Sequence, residues 1–235
     1  MTIRLTKLFP GLFIMLVLSG TGFSQNKLPK FEVGVQFSLL SLNNPDVLRR
    51  HPIDPGFIGV VAGTGRRTEP GVGGRFTYNL TNNVAFEAEG NWYPRSESDL
   101  TKPSGRIFQG QFGVKAGKRF RRFGIFGKAR PGFVGFTQVT KLLGTTTTAP
   151  AGPLNQVFTV GTFRSGSKAY FSADLGGVFE YYASSKVFAR FDLGDSIVRY
   201  QSFPGQGAFL SQAIIVRPPQ TKHNPQFTAG VGFRF

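Results

Sequence analysis

The chain has 235 residues, 31 glycines, 26 phenylalanines, no cysteine and a formal net charge of +16. It is too apolar and aromatic to be disordered, and without cysteine it is no disulfide scaffold, thiol enzyme or zinc finger. No run of 18 apolar residues follows Leu18, which argues against helical membrane spans, and the length suits one domain of barrel or sandwich size.

Arg4 and Lys7 precede an apolar stretch over residues 8–18, about three helical turns long. That is too short to span a bilayer and matches the apolar region of an export signal. The small residues Ser19, Gly20, Gly22 and Ser24 follow, so cleavage is expected after Ser24. Residues 1–24 then form the signal peptide, and residues 25–235 the mature domain. No cysteine is present to carry a lipid, so this is not a lipoprotein signal. Export also sets nucleic acid aside as a partner, despite the basic charge.

From there the sequence alternates large apolar residues with small or polar ones, the period of a strand. The first segment sets Phe31, Val33, Val35, Phe37 and Leu39 against Glu32, Gly34, Gln36 and Ser38. The second sets Val72, Phe76, Tyr78 and Leu80 against Gly73, Arg75, Thr77 and Asn79. The third sets Val84, Phe86, Ala88 and Trp92 against Glu87, Glu89 and Asn91. The fourth sets Phe108, Phe112, Val114 and Ala116 against Gln109, Gln111, Gly113 and Lys115. The fifth sets Phe123, Ile125, Ala129 and Phe133 against Gly124, Lys128 and Arg130. The sixth sets Phe171, Ala173, Leu175, Phe179 and Tyr181 against Ser172, Asp174 and Glu180. The seventh sets Val187, Ala189, Phe191 and Leu193 against Arg190, Asp192 and Gly194. The eighth sets Phe227, Ala229, Val231, Phe233 and Phe235 against Thr228, Gly230, Gly232 and Arg234. Phe126, Val178 and Phe188 break the pattern by falling on the polar face.

The connections alternate too. Residues 81–83, 118–122 and 183–185 make short turns, whereas residues 43–69, 94–104, 140–167 and 201–224 make long loops. Short turns on one side and long loops on the other are the layout of a transmembrane barrel. A soluble calycin-like barrel also alternates, with its apolar face inward, and charge decides between the two. The polar face carries the acids Glu32, Glu87, Glu89, Asp174, Glu180 and Asp192, and the bases Arg75, Lys115, Lys128, Arg130, Arg190 and Arg234. Six acids balance six bases in a strongly basic chain, which suits a confined interior where an unpaired charge is costly. The polar face therefore lines the lumen as a charge network, and the apolar face meets lipid. Arg106, Lys118 and Asp195 fall on the lipid-facing parity just beyond the segments and are expected at the interfaces, where a base costs about 0–1 kcal/mol instead of about 2–4 at the midplane. Pro131 lies on the same parity inside the fifth segment, where a bulge is expected. Trp92, Tyr78 and Tyr181 are expected in an aromatic girdle. Tyr93, Tyr170, Tyr182 and Tyr200 point inward by parity and either cap the lumen or are rotated out by bulges.

The last eight residues run from Thr228 to Phe235, with aromatic residues at Phe233 and Phe235. This ending resembles the assembly signal of bacterial outer-membrane barrels. With the export signal and eight alternating segments, the mature chain resembles the small eight-stranded barrels of the OmpA transmembrane domain, OmpX and OmpW type. The resemblance is architectural and carries over no functional residue. It implies the outer membrane of a Gram-negative-type bacterium, recognition of the last strand by the barrel-assembly machinery, and outer-membrane lipids as surroundings.

Little chemistry is visible. His51 and His223 are the only histidines, both in expected outer loops. Two histidines without cysteine make a poor metal site, and no cofactor is expected. A deacylase-type barrel needs a histidine held beside a serine, which these positions do not suggest, so no enzyme is expected. Gly71, Gly73 and Gly74 precede no helix and make no dinucleotide motif, and Thr145 to Thr148 read as a loop tip. The excess positive charge lies in the long loops, at Arg49, Arg50, Arg66, Arg67, Lys141, Arg164, Arg217 and Lys222, where lipopolysaccharide phosphates are the candidate partner. The turn with Lys118, Arg119, Arg121 and Arg122 is expected to face phosphates of the inner leaflet.

The sequence thus predicts an all-β fold, an eight-stranded antiparallel transmembrane β-barrel with a polar, plugged lumen and a structural or surface-interaction role. Ten strands is the alternative, because residues 57–62, 157–163 and 209–216 are apolar enough for strand extensions or an extra hairpin. A narrow channel for small solutes is the rival function, and a lipid-modifying barrel enzyme the third.

Overall fold

An extended segment that alternates apolar and polar residues has two unlike faces, and each needs its own surroundings. The computed structural model describes residues 29–50, 58–61, 65–95, 103–147, 159–206 and 214–235; the expected signal peptide and His51 lie outside these residues. The strands are β1 (Phe31–Asn43), β2 (Val47–Arg50), β3 (Ile58–Val61), β4 (Arg66–Asn79), β5 (Val84–Tyr93), β6 (Ser104–Arg119), β7 (Phe123–Thr147), β8 (Thr159–Tyr182), β9 (Val187–Tyr200), β10 (Phe203–Gln206), β11 (Ile214–Arg217) and β12 (Gln220–Arg234). Eight of them close a barrel in the order β1-β12-β9-β8-β7-β6-β5-β4. These eight carry the eight alternating segments, with Leu80 and Phe235 just past the ends of β4 and β12, and every neighbouring pair is antiparallel.

Closure joins the two ends of the barrel sequence. β1 pairs with β12 from Glu32↔Arg234 to Leu40↔Gln226, and Phe31 and Phe235 exchange backbone hydrogen bonds at 3.0 Å. Two of the short turns use the same device. Thr81 Oγ1 accepts from the backbone N–H groups of Asn83 and Val84, and Ser184 Oγ accepts from those of Lys186 and Val187. A hydroxyl that caps a turn in this way fixes the hairpin register.

The faces are inside out relative to a soluble barrel. Val35, Phe112 and Leu193 are 64%, 64% and 67% exposed, and Phe37, Phe76, Phe133 and Phe171 also face outward. Burying such side chains is worth about 1.5–3 kcal/mol each, so a water-facing surface would waste the main driving force. Lipid supplies the missing surroundings, and the chain is a membrane-spanning outer-membrane barrel rather than a calycin-like one. Trp92 and Tyr181 face outward, whereas Tyr93, Tyr170, Tyr182 and Tyr200 are buried inside. Inward parity therefore prevails at those four tyrosines, with no bulge turning them out.

Three features differ from expectation. The barrel has the eight strands expected rather than ten, and residues 159–163 extend β8, but the connections after β1 and before β12 hold strands of their own. β2 and β3, from the connection after β1, join β10 and β11, from the connection before β12, in a separate sheet ordered β10-β11-β2-β3. Thr145 to Thr147 are not a loop tip but the end of β7, paired with β8. At 25 and 24 residues, β7 and β8 far exceed the 9–11 that a tilted strand needs to cross, so their hairpin stands beyond the membrane. Finally, Pro131 causes no bulge. The β6 ladder skips from Gln111↔Gly132 to Val114↔Ala129 in unchanged register, while Pro131 stays paired with Ala173 of β8. The missing N–H faces β6 and simply interrupts that ladder. The irregularity on that seam lies between Ser104 and Ile107, where Gly105 takes a φ of 78° that favours glycine.

Candidate functional site: the barrel lumen

Alternate residues of eight closed strands must share one narrow interior, and a barrel of this size is just wide enough for side chains to fill. The structure brings together all twelve charged residues of the polar face: Glu32, Arg75, Glu87, Glu89, Lys115, Lys128, Arg130, Asp174, Glu180, Arg190, Asp192 and Arg234 are each buried. They form layers from the short-turn end upward.

At the floor, Arg119 Nη2 donates to Glu32 Oε1 at 3.0 Å, and Arg119 Nε donates to the Tyr182 hydroxyl at 2.9 Å. That hydroxyl donates in turn to Glu180 Oε2 at 2.9 Å. The Arg234 guanidinium stacks 4.1 Å over the Tyr182 ring and donates to the carbonyls of Ser184 and Ser185. Arg119 is not a turn cation, as its place in the sequence suggested. It shares the parity of Lys115 and Gly117, so its side chain follows the strand inward.

Above the floor, Lys115 Nζ donates to Glu180 Oε1 at 2.5 Å and lies 3.5 Å from Glu87 Oε1. Arg190 is held from two sides, by both oxygens of Glu87 and by Asp192, with Nε donating to Asp192 Oδ1 at 2.6 Å. Arg130 bridges Glu89 Oε2 and Asp174 Oδ2, at 2.6 Å each, and Lys128 Nζ lies 2.8 Å from the same Asp174 oxygen. Arg75 donates to Gln36 Oε1 and lies 3.4 Å from Glu89 Oε2. Bases and acids thus alternate in space, so each of these charges that leaves water meets its opposite, whereas Arg234 at the floor is held by backbone carbonyls and the Tyr182 ring. The apolar exceptions fit among them: Phe126 lies beneath the Lys115 ammonium at 4.7 Å and the Arg119 guanidinium at 5.7 Å. Glycines make the room. A Cβ on Gly113 would collide with the Ala129 carbonyl and the Arg130 backbone, and one on Gly194 would lie 2.8 Å from Asp174 Oδ1 and 3.1 Å from Lys128 Cε. The cavity among Glu32, Arg75, Thr77 and Arg190 measures only about 10 Å³, the volume of about one water by that measure.

Two further layers adjoin the charges; Gln36, Asn91 and Gln109 of the first and Tyr93, Tyr170 and Tyr200 of the second were expected inward by parity, whereas Gln226 and the other apolar members were not singled out. The first is neutral. Gln109 and Gln226 exchange amide hydrogen bonds at 2.9 and 3.1 Å, and Tyr93 OH donates to Gln109 Oε1 at 3.0 Å. Gln36 Nε2 donates to Asn91 Oδ1 at 2.8 Å, and Asn91 Nδ2 to Glu89 Oε1 at 2.8 Å, which ties this layer to the charges. The second is apolar. Leu40, Leu42, Ile107, Val134, Phe136, Val139 and Val198 pack with Tyr93, Tyr170 and Tyr200 at the long-loop end. The Tyr170 and Tyr200 rings are 4.9 Å apart, and Phe136 meets Tyr170 edge-on at 5.9 Å. The inward parity of Leu40, Leu42, Ile107, Val134, Phe136, Val139 and Val198 was readable too, but their hydrophobicity hid it.

Outside the lumen, His223 Nδ1 lies 2.5 Å from Asp195 Oδ2 on the outer face of the β9–β12 seam. Ser196 is buried on the other side of the wall, where its hydroxyl accepts from Gln109. Arg67 is not a free loop cation: it turns in and pairs with buried Glu69 at 2.9 Å. Lys222 pairs with Asp46 at 2.7 Å. Arg66 and Arg164 are exposed, while the side chains of Arg49, Arg50, Lys141 and Arg217 lie outside the described residues. Among the described residues, no group of three or more histidine and acidic side chains is placed to hold a metal.

No family model matches the sequence, and no curated protein matches it. Solved structures do resemble it. The outer membrane protein OprG of Pseudomonas aeruginosa aligns with a TM-score of 0.51 at 10% identity, over 89% of this chain and 97% of that one. The N-terminal β-barrel domain of Pseudomonas aeruginosa OprF aligns with a TM-score of 0.39 at 13% identity, over 85% and 97%. Neisserial surface protein A aligns with a TM-score of 0.43 at 10% identity, over 87% and 97%. At such identities the likeness to OprG speaks for the fold alone. This chain is built as a small eight-stranded outer-membrane barrel, and that architecture is what it shares with OprG.

Proposed function

We propose that the protein is a structural or surface-interacting outer-membrane barrel whose lumen is plugged. The observation that carries this reading is the filled interior: Lys115, Arg130, Asp174 and Glu180 are fully buried in one ion-pair network, beneath a cap of Tyr93, Tyr170 and Tyr200. A solute would have to break charge pairs and then part an apolar cluster. Liposomes carrying the refolded mature protein are expected to swell in isotonic arabinose no faster than protein-free liposomes. Swelling at a porin-like rate would overturn the reading.

One observation favours a narrow channel as the second reading. Gln111 Nε2 and Oε1, Ser172 Oγ and Asp174 Oδ1 are buried without a hydrogen-bond partner, and Gln111 and Ser172 flank Gly132 in neighbouring strands. Such atoms favour water in the lumen. The lipid-modifying enzyme gains no such support, because His223 and Ser196 face opposite sides of the wall. For the surface role, exposed Arg66 and Arg164 are the anchors for lipopolysaccharide phosphates. Their joint reversal to glutamate is expected to weaken binding to lipopolysaccharide vesicles, and equal binding would remove that partner. The assembly role assigned to Phe233 and Phe235 is supported by their exposed outward rings on and just beyond β12. Alanine at both is expected to slow insertion by the assembly machinery, and an unchanged rate would refute the assignment.

A further inference from the structure

Among the described residues, the charged side chains exposed at the rim of the short-turn end are all of one sign. Lys30, Lys118, Arg121, Arg122 and Lys186 are exposed there, whereas the acids at that end, Glu32 and Glu180, are buried in the lumen. Both acids are already engaged, by Lys115 and Arg119. Four of the five cations stand on or beside two adjacent turns, the one between β6 and β7 and the one between β8 and β9. The backbone N–H of Tyr182 donates to the carbonyl of Arg122 at 2.9 Å and ties the two turns together.

An aromatic surface adjoins these cations on the outer wall. Phe120 stacks on Phe123 at 4.6 Å between centroids, and Phe123 stacks on Phe179 at 6.3 Å. Lys118 Nζ lies 5.5 Å from the Phe120 centroid. Outward aromatic residues at the end of a barrel mark the boundary between hydrocarbon and headgroups. Lysine and arginine stems reach from that boundary toward water, which sets these cations at the depth of the lipid phosphates. In this architecture the short turns face the periplasm, so the leaflet they meet is the phospholipid one.

We propose that this rim binds the headgroups of anionic phospholipids in the periplasmic leaflet, with Lys118, Arg122 and Lys186 as the principal contacts. The site is independent of whether the lumen conducts. Arg119, adjacent in sequence, is no part of it, because its guanidinium is spent on Glu32 and Tyr182 inside. Phosphate on a diffusing ion offers the same charge without the acyl chains that would lie along Phe120, Phe123 and Phe179, so the lipid is the occupant the surface favours.

The test extracts the protein from bilayers of equal phosphatidylcholine and phosphatidylglycerol and measures the retained lipid by native mass spectrometry. Wild type is expected to retain phosphatidylglycerol preferentially. The variant K118Q/R122Q/K186Q is expected to lose that preference, by about fivefold per cation removed. R66Q/R164Q at the opposite rim is expected to keep it, and K118R/R122K/K186R to restore it. Heat-modifiable gel mobility confirms that each barrel is folded, and the single variant K186Q stands in if the triple variant does not fold. Equal retention of the two lipids by wild type, or an unchanged preference in the glutamine variant, would overturn the proposal. So would loss of the preference in millimolar inorganic phosphate, which would make the site one for the free ion.

Discussion

At the scale of single residues, the lumen works by the sharing of partners. Glu87 holds Arg190 and lies 3.5 Å from Lys115, and Glu89 holds Arg130 and approaches Arg75. Neutralising both with E87Q/E89Q leaves four buried cations short of a counter-charge. Breaking one buried pair costs about 3–5 kcal/mol, so the double variant is expected to melt well below wild type in detergent by circular dichroism. An unchanged melting curve would refute the network. Gly194 is the steric counterpart. G194V would push branched carbons against Asp174 and Lys128, and is expected to lower the yield of the heat-modifiable folded band on refolding. Twelve of the charges in this network were legible from parity alone, because a period of two assigns every strand residue to a face. Arg119 was not, because it lies in a run of cations that resembles a turn; only its step of four from Lys115 betrays the strand. Arg67 and Glu69 were missed for the same reason, since β4 begins earlier than its apolar residues do.

At the scale of elements, the barrel strands were legible wherever large and small residues alternate, and obscure wherever both faces are apolar. The latter happens at the long-loop end, where Leu40, Leu42, Phe136 and Val139 face inward and make a core like that of a soluble protein. Nothing in their hydrophobicity separates them from lipid-facing neighbours. The small sheet of β2, β3, β10 and β11 was illegible for another reason: its partners come from connections far apart in the chain, and a local pattern carries no information on pairing. The β6–β7 seam offers a test at this scale. Pro131 withholds one N–H, and the ladder lapses there without a change of register. P131V keeps an apolar side chain on the lipid face and adds a donor. It is expected to slow amide exchange at neighbouring β6 positions and to stabilise the barrel by about 0.5–1.5 kcal/mol, the worth of one hydrogen bond. Unchanged exchange along β6 would show that the lapse has another cause.

At the scale of the whole molecule, three zones stack along the barrel axis. Cations and aromatic residues gather at the short-turn end, an ion-pair network lies in the middle, and an amide layer with a tyrosine-rich apolar cluster lies at the long-loop end. Among the described residues, the cations outside the network include exposed Lys30, Arg66, Lys118, Arg122, Arg164 and Lys186, whereas the interior sets seven bases, Arg119 included, against six acids, so little surplus charge enters where it would be costly. The central claim is that these layers close the lumen to ions. Conductance of the refolded mature protein in a planar bilayer tests it most directly. The account predicts a silent membrane although the protein is fully inserted; stable, reproducible current steps from the wild-type barrel would contradict it.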